Sequence, residues 1–214
     1  MEKEIQLLSK IGEYQYMKNL LTDGELYFSP LKRFAAMEST GGIGDKFETA
    51  VMYNYPPNPE ITIKIGEQEI PLGKGAKIEY HQLDPDKRGH IYCMSKVDFV
   101  YIDKDTLKLK YPENIEDLGV GYDTMIVITN PKEFFKRICN KISEMGYDCE
   151  YDSVSYFPEK DIAHKNVTPF DKRERFSYQS EFRIYIDCDR TDSFIVSIGN
   201  IEDIAMLLHK GQKG

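Results

Sequence analysis

Residues 176–187 read Phe-Ser-Tyr-Gln-Ser-Glu-Phe-Arg-Ile-Tyr-Ile-Asp, and their alternation decides how the rest of the chain is read. Tyr178, Ser180, Phe182, Ile184 and Ile186 fall on one side, and Gln179, Glu181, Arg183, Tyr185 and Asp187 on the other. Period two over this length predicts a β-strand across residues 178–187 with one face in the core. Its opposite face lines up an amide, a carboxylate and a guanidinium. Such a face is either a solvated ladder or one wall of a polar cleft. In the first case Glu181 and Arg183 pair in water and contribute only ~0–1 kcal/mol. Just upstream, Lys172, Arg173 and Arg175 interleave with Asp171 and Glu174, which reads as a solvated loop.

Working outward, residues 158–175 read as a polar loop, residues 153–157 as a strand before it, and residues 193–198 as a strand after it. A last helix is expected over residues 201–208. The clearest helix starts at Asn130-Pro131, a capping residue followed by proline in the first turn. Phe134, Phe135, Ile138, Ile142 and Met145 form its apolar stripe, and Gly146 ends it. The unbroken apolar run 124–128 predicts a buried central strand. At the other end, residues 5–8 suit an opening strand and residues 12–22 carry apolar residues at helical spacing. Asp23-Gly24 supplies a left-handed stop, and residues 25–29 form a strand ended by Pro30. Residues 31–39 read as a short helix or loop, and the glycine-rich residues 40–45 as a lid or turn. Asp45 and Glu48 have capping-box spacing, or would hold a cation or a substrate hydroxyl. Strands are further expected at 52–55, 76–80 and 90–95, with a hairpin at 60–72 around Gly66-Glu67 and a hairpin or excursion near 106–111. Strands outnumber helices and adjacent ones mostly lack crossovers. The prediction is one α+β domain over residues 1–214, with a mainly antiparallel sheet and about three helices.

A net charge of −8 argues against broad nucleic-acid binding, which needs Lys and Arg for phosphates. No apolar stretch reaches the ~18–20 residues that span a bilayer, and the start lacks a signal-peptide core, so a cytoplasmic protein with no membrane partner is expected. Fifteen tyrosines with no tryptophan favour a half-wet cleft or a partner surface. Cys93, Cys139, Cys149 and Cys188 are irregularly spaced, Cys93 and Cys139 read as small core residues, and the four histidines have no ligand spacing, so no metal site is expected. Signatures of a P-loop, a Rossmann turn and a nucleophile elbow are all missing from the sequence.

If the polar strand face borders a cleft, Glu181 can accept from a ribose hydroxyl and stabilise positive charge developing at an anomeric carbon, with Gln179 orienting the acceptor. The Gln-x-Glu spacing of Gln179 and Glu181 resembles the final motif of ADP-ribosyltransferase-like domains. The opening pattern, from Tyr14 through Gly24-Glu25-Leu26-Tyr27-Phe28-Ser29 to Phe34, Asp45, Phe47 and Glu48, is similar to a family of bacterial and phage proteins that end in a Tyr-Gln-x-Glu-Phe-Arg strand. The resemblance implies an ADP-ribosyltransferase-like fold, NAD as cofactor, Glu181 as the catalytic carboxylate beside Gln179, and Arg183 anchoring a phosphate or bracing Glu181. It also implies a setting in phage defence, a toxin or an anti-defence system. The superfamily's early Arg or His is missing from the opening strand, where Lys10 or Tyr14 would stand in for it. Its middle motif would be met by Tyr92 or Ser95, or by Tyr27 or Ser29. The alternative is a non-catalytic protein that sequesters a nucleotide-like signal, or that binds a protein target through its tyrosine-rich face.

Overall fold

Pairing of short strands across long sequence distances builds this molecule. The structure is a computed structural model that describes residues 7–37, 45, 47–55, 60, 62–72, 80–84, 88–101, 107–110, 122 and 124–209. They form an α+β fold of mostly antiparallel strands with three α-helices and one 3-10 helix, as the sequence predicts.

The main sheet runs in the order β10 (Cys149–Ser153), β14 (Glu181–Ile186), β7 (His90–Tyr101), β1 (Leu7–Gly12), β9 (Thr124–Ile128) and β16 (Ala205–His209). β2 (Glu25–Pro30) joins β7 at Ser29 and Pro30, and β15 (Phe194–Ser197) pairs with β2. β8 (Leu107–Lys110) lies along the far end of β7, where an excursion was expected. One face of this sheet is apolar. Leu8, Tyr92, Met94, Ile126, Ile128, Phe182, Ile184 and Ile186 pack there against helix α3 (Pro131–Glu144), whose Phe134, Phe135, Ile138 and Ile142 are all buried. The Asn130 side chain accepts from the Glu133 N–H at the helix start, so the cap read from sequence is present.

Helix α1 (Tyr14–Asp23) ends as expected at Gly24, which has φ +61°. Here glycine is required twice over. A Cβ would meet the Gly199 carbonyl oxygen at 2.2 Å and Ile198 Cγ1 at 2.6 Å. A Gly24→Ala variant therefore combines left-handed strain with a backbone clash. It is expected to lose about 2 kcal/mol or more, read as a lower urea midpoint with an unchanged slope. Helix α2 (Leu31–Met37), strand β3 (Ala50–Tyr55) and the hairpin of β4 (Thr62–Ile65) and β5 (Gln68–Pro71) follow the sequence reading. β6 (Tyr80–Leu83) begins where the expected strand ends, and residues 38–44, 76–79, 106 and 111 of the sequence reading lie outside the described residues.

Several expectations are corrected. The strand read over 178–187 begins only at Glu181. Residues Glu174–Gln179 coil into the 3-10 helix, and Ser180 turns the chain with φ 43°. Its N–H closes on the Ser177 carbonyl, so local turn bonding wins over apparent alternation. The strand read over 153–157 is two, β10 and β11 (Ser155–Phe157), separated at Val154, whose N–H donates to the Glu181 carbonyl. The expected loop 158–175 contains β12 (Ile162–Asn166), an edge strand on β3, and β13 (Asp171–Arg173), parallel to β11. Edge position explains the polar composition that hid the first of these. The expected final helix 201–208 is a turn followed by β16. Ile201 and Ile204 are buried by the turn, while the β9 edge supplies a ladder that overrides helical spacing. The opening strand is seen over Leu7–Gly12, which extends beyond the expected 5–8 at its C-terminal end, while residues 5 and 6 lie outside the described residues.

Candidate functional site

The second face of the main sheet is polar. Glu181, Ser95 and Ser9 are direct cross-strand partners on β14, β7 and β1, so three polar side chains stand in one row. Cys93 and Arg183 form the next row. β13, the 3-10 helix and the turn at residues 47–49 cover this face and bring Lys172, Gln179, Asp45 and Glu48 onto it.

This is neither a solvated ladder nor an open cleft wall. Arg183 is 0% exposed and Glu181 5%. Arg183 spends all five guanidinium N–H donors inside the protein. Nε donates to Glu181 Oε1 at 2.8 Å and Nη2 to Glu181 Oε2 at 3.3 Å. Nη1 and Nη2 donate to the two Glu48 oxygens at 2.9 and 2.6 Å, and Nη1 also reaches the Pro169 carbonyl at 2.6 Å. Lys172 Nζ donates to Gln179 Oε1 at 2.6 Å and Glu181 Oε2 at 3.0 Å, and lies 3.7 Å from Glu48 Oε1. Asp45 pairs through both oxygens with Arg173, whose guanidinium lies over the Phe47 and Phe176 rings.

The reading of Lys172 and Arg173 as solvated is thus overturned. Both are at most 3% exposed and partnered by buried carboxylates; only Arg175 stays at the surface, against Glu159. Among the described residues Asp45 and Glu48 belong to a turn, not to a helix start. The Asp45 side chain accepts from the Phe47 N–H in a turn, and both acids are held by arginines from later in the chain.

The electrostatics follow from these contacts. Burial alone would raise the Glu181 carboxyl, but Arg183 and Lys172 outweigh it and hold Glu181 well below the usual carboxylate range. Burial disfavours the charge on Lys172, yet Glu181 and Glu48 reverse that and raise its pKa. The half-buried Cys93 thiol is pushed far up by desolvation and then by the neighbouring Glu181 charge, so it is no thiolate nucleophile.

A cavity of about 100 Å³ opens beside this cluster. Its walls bring Glu181, Gln179 and Arg183 together with Ser9, Lys10 and Ile11 of β1, Cys93 and Ser95 of β7, and Phe34 of α2. It forms where the sheet splits. β1 pairs with β7 only at 95–97 and β2 only at 90–91, and Lys10 fills the gap between, donating to the Cys93 carbonyl at 2.6 Å.

Of the residues expected at the site, Gln179, Glu181 and Arg183 meet there, and so do Lys10 and Ser95 from the alternatives weighed. Tyr14, Tyr27 and Ser29 do not. Tyr14 packs exposed against His209, Tyr27 lies outside under Arg33, and Ser29 is buried beside Ser193. Tyr14 opens helix α1 beyond the end of β1, and Tyr27 and Ser29 lie on β2, which pairs with β7 only at residues 90–91, away from the site. Sequence reasoning missed Ser9. Its only signal was a hydroxyl facing opposite to the apolar Leu8 on the first strand. Among the described residues no cluster of histidine, cysteine or acidic side chains could hold a metal ion, and no helix is long and apolar enough to cross a membrane. No protein-family model, curated protein or solved structure matches the chain.

Proposed function

We propose that this chain is a non-catalytic binding protein that holds a small nucleotide-like ligand at the sheet split, acting in the cytoplasm as part of a phage-defence, toxin or anti-defence system. The setting rests on the resemblance of the two chain ends. The binding role rests on one observation, the engagement of Glu181. A carboxylate offers about four acceptor sites. Arg183 takes two and Lys172 one, all at near-complete burial. A carboxylate so engaged is a keystone of the cavity wall rather than a group waiting for a ribose hydroxyl. Arg183, with all its donors used, braces Glu181 and does not reach a phosphate.

ADP-ribosyl transfer from NAD is the second reading, with Glu181 catalytic and Gln179 orienting the acceptor. What favours it is that Glu181 is kept ionised at a cavity wall, as stabilisation of an oxocarbenium-like state requires.

Calorimetry against NAD, ADP-ribose and cyclic nucleotides, run beside an NAD-consumption assay on wild type and Glu181→Gln, separates the two. The binding reading expects heat with at least one nucleotide and no turnover in either protein. NAD consumption abolished by Glu181→Gln would replace it with the transferase. A protein partner recovered with no nucleotide response would overturn both.

A further inference from the structure

The cavity wall is not uniformly satisfied, and the exception lies on β1. Ser9 is 1% exposed, and its hydroxyl is the one buried side-chain polar atom without a hydrogen-bond partner among the described residues. A buried hydroxyl left unpaired is unfavourable, because it has given up water and gained nothing in return. Its cross-strand partner Ser95 carries a second hydroxyl on the same face at the same wall.

Lys10 adds a charge. Of its three ammonium donors, one is engaged at the Cys93 carbonyl. Its Nζ also lies over the Tyr92 ring, 4.9 Å from the centroid, and burial lowers its pKa although Glu181 opposes the shift, so its charged form is only partly compensated. Among the described lining residues, three cations (Lys10, Lys172 and Arg183) face two carboxylates (Glu48 and Glu181). Adjacent residues of a strand point to opposite faces, but Lys10 reaches across the gap to the Cys93 carbonyl, so its charge and the unpaired hydroxyl of Ser9 line the same cavity. A neutral hydroxyl would answer Ser9 alone. A compact oxyanion answers both, accepting from Ser9 Oγ and Lys10 Nζ while balancing the excess charge.

We infer that the cavity is a phosphate subsite in which Ser9, Ser95 and Lys10 receive a phosphate group, either free or as the terminal ester of a nucleotide. The inference rests on the binding reading above and names the part of the ligand that enters. At about 100 Å³ the cavity suits a phosphate-sized group, leaving the remainder of a nucleotide to run out past Phe34, which is half-buried on the lining. An aromatic ring there offers a flat apolar surface to a sugar or base.

The test is titration calorimetry at low salt with three probes, inorganic phosphate, ADP-ribose and adenosine, on wild type, Ser9→Ala and Lys10→Met. Phosphate and ADP-ribose are expected to bind wild type, with adenosine at least about tenfold weaker. Each substitution is expected to weaken phosphate by about tenfold or more. Ser9→Ala removes an unpaired buried hydroxyl, so its melting temperature should equal or exceed that of wild type, which separates lost binding from lost folding. Equal phosphate affinity in all three proteins, or no binding of phosphate and ADP-ribose to wild type, overturns the subsite. ADP-ribose binding that survives both substitutions overturns the subsite while leaving the binding function standing. Phosphate binding with no nucleotide binding upholds the subsite and removes the nucleotide-like reading.

Discussion

An Arg183→Met variant is expected to lose about 3–5 kcal/mol of folding stability, the cost of stranding a buried charge when its partner is removed. Two carboxylates, Glu48 and Glu181, would be left facing each other at full burial with only Lys172 between them. Marginal domains hold ~5–15 kcal/mol in all, so the variant would sit close to unfolding at ambient temperature. Its urea midpoint is the measurement. A companion variant, Arg183→Met with Glu48→Gln, removes one carboxylate charge with the guanidinium and leaves Lys172 paired with Glu181, and is expected to recover a large part of the loss. A single variant within about 1 kcal/mol of wild type would mean that the cluster is no keystone. The reason for so large an effect is geometric. Arg183 ties the Glu48 turn and Pro169, in the turn that leads into β13, to the strand it sits on, so its removal loosens three segments at once.

Acid is expected to act through the same cluster. Glu181 has a folded pKa below its unfolded value, so its contribution to stability is complete above the unfolded carboxylate range, near ~4.3. As pH falls through that range the unfolded chain takes up a proton that the folded one refuses, and stability declines toward the depressed folded pKa. Lys172, with a raised folded pKa, contributes fully below the usual lysine range near ~10.4 and loses its share only as pH rises beyond it. Both groups therefore support the fold at neutral pH. The expected result is a steep loss of stability below about pH 4.3 in wild type and a flatter profile in Glu181→Gln, measured as urea midpoint against pH. Superimposable acid profiles would show that Glu181 carries no linkage.

How much of the site was legible depends on residue type. The alternation of Phe182, Ile184 and Ile186 with Glu181 and Arg183 was visible and correct, because apolar side chains mark the core face whatever covers the other. What covered the other face was not visible. Hydropathy reads Lys172 and Arg173 as solvent-facing. Their burial is explained only by Glu48 and Glu181 on one side and Asp45 on the other, contributed in part from more than a hundred residues away in the chain. The neighbouring thiols of Cys139 and Cys149, 3.0 Å apart, were hidden for the same reason: helix and edge strand bring them together, and no spacing rule does.

Local chemistry alone determined the elements whose signals are self-contained: the Asn130-Pro131 helix start, the Gly24 stop, the buried run 124–128 and the Gly66-Glu67 hairpin. It also determined that an α+β arrangement of antiparallel strands would result. Tertiary structure decided the end of the chain, where β9 offered an open edge and residues 205–209 took a ladder in place of helical hydrogen bonds. It decided too that the charged face of β14 would be roofed over, and that β1 and β2 would part along β7 to leave a cavity. Such outcomes depend on partners brought near only by folding, and no window of sequence contains both halves of the interaction.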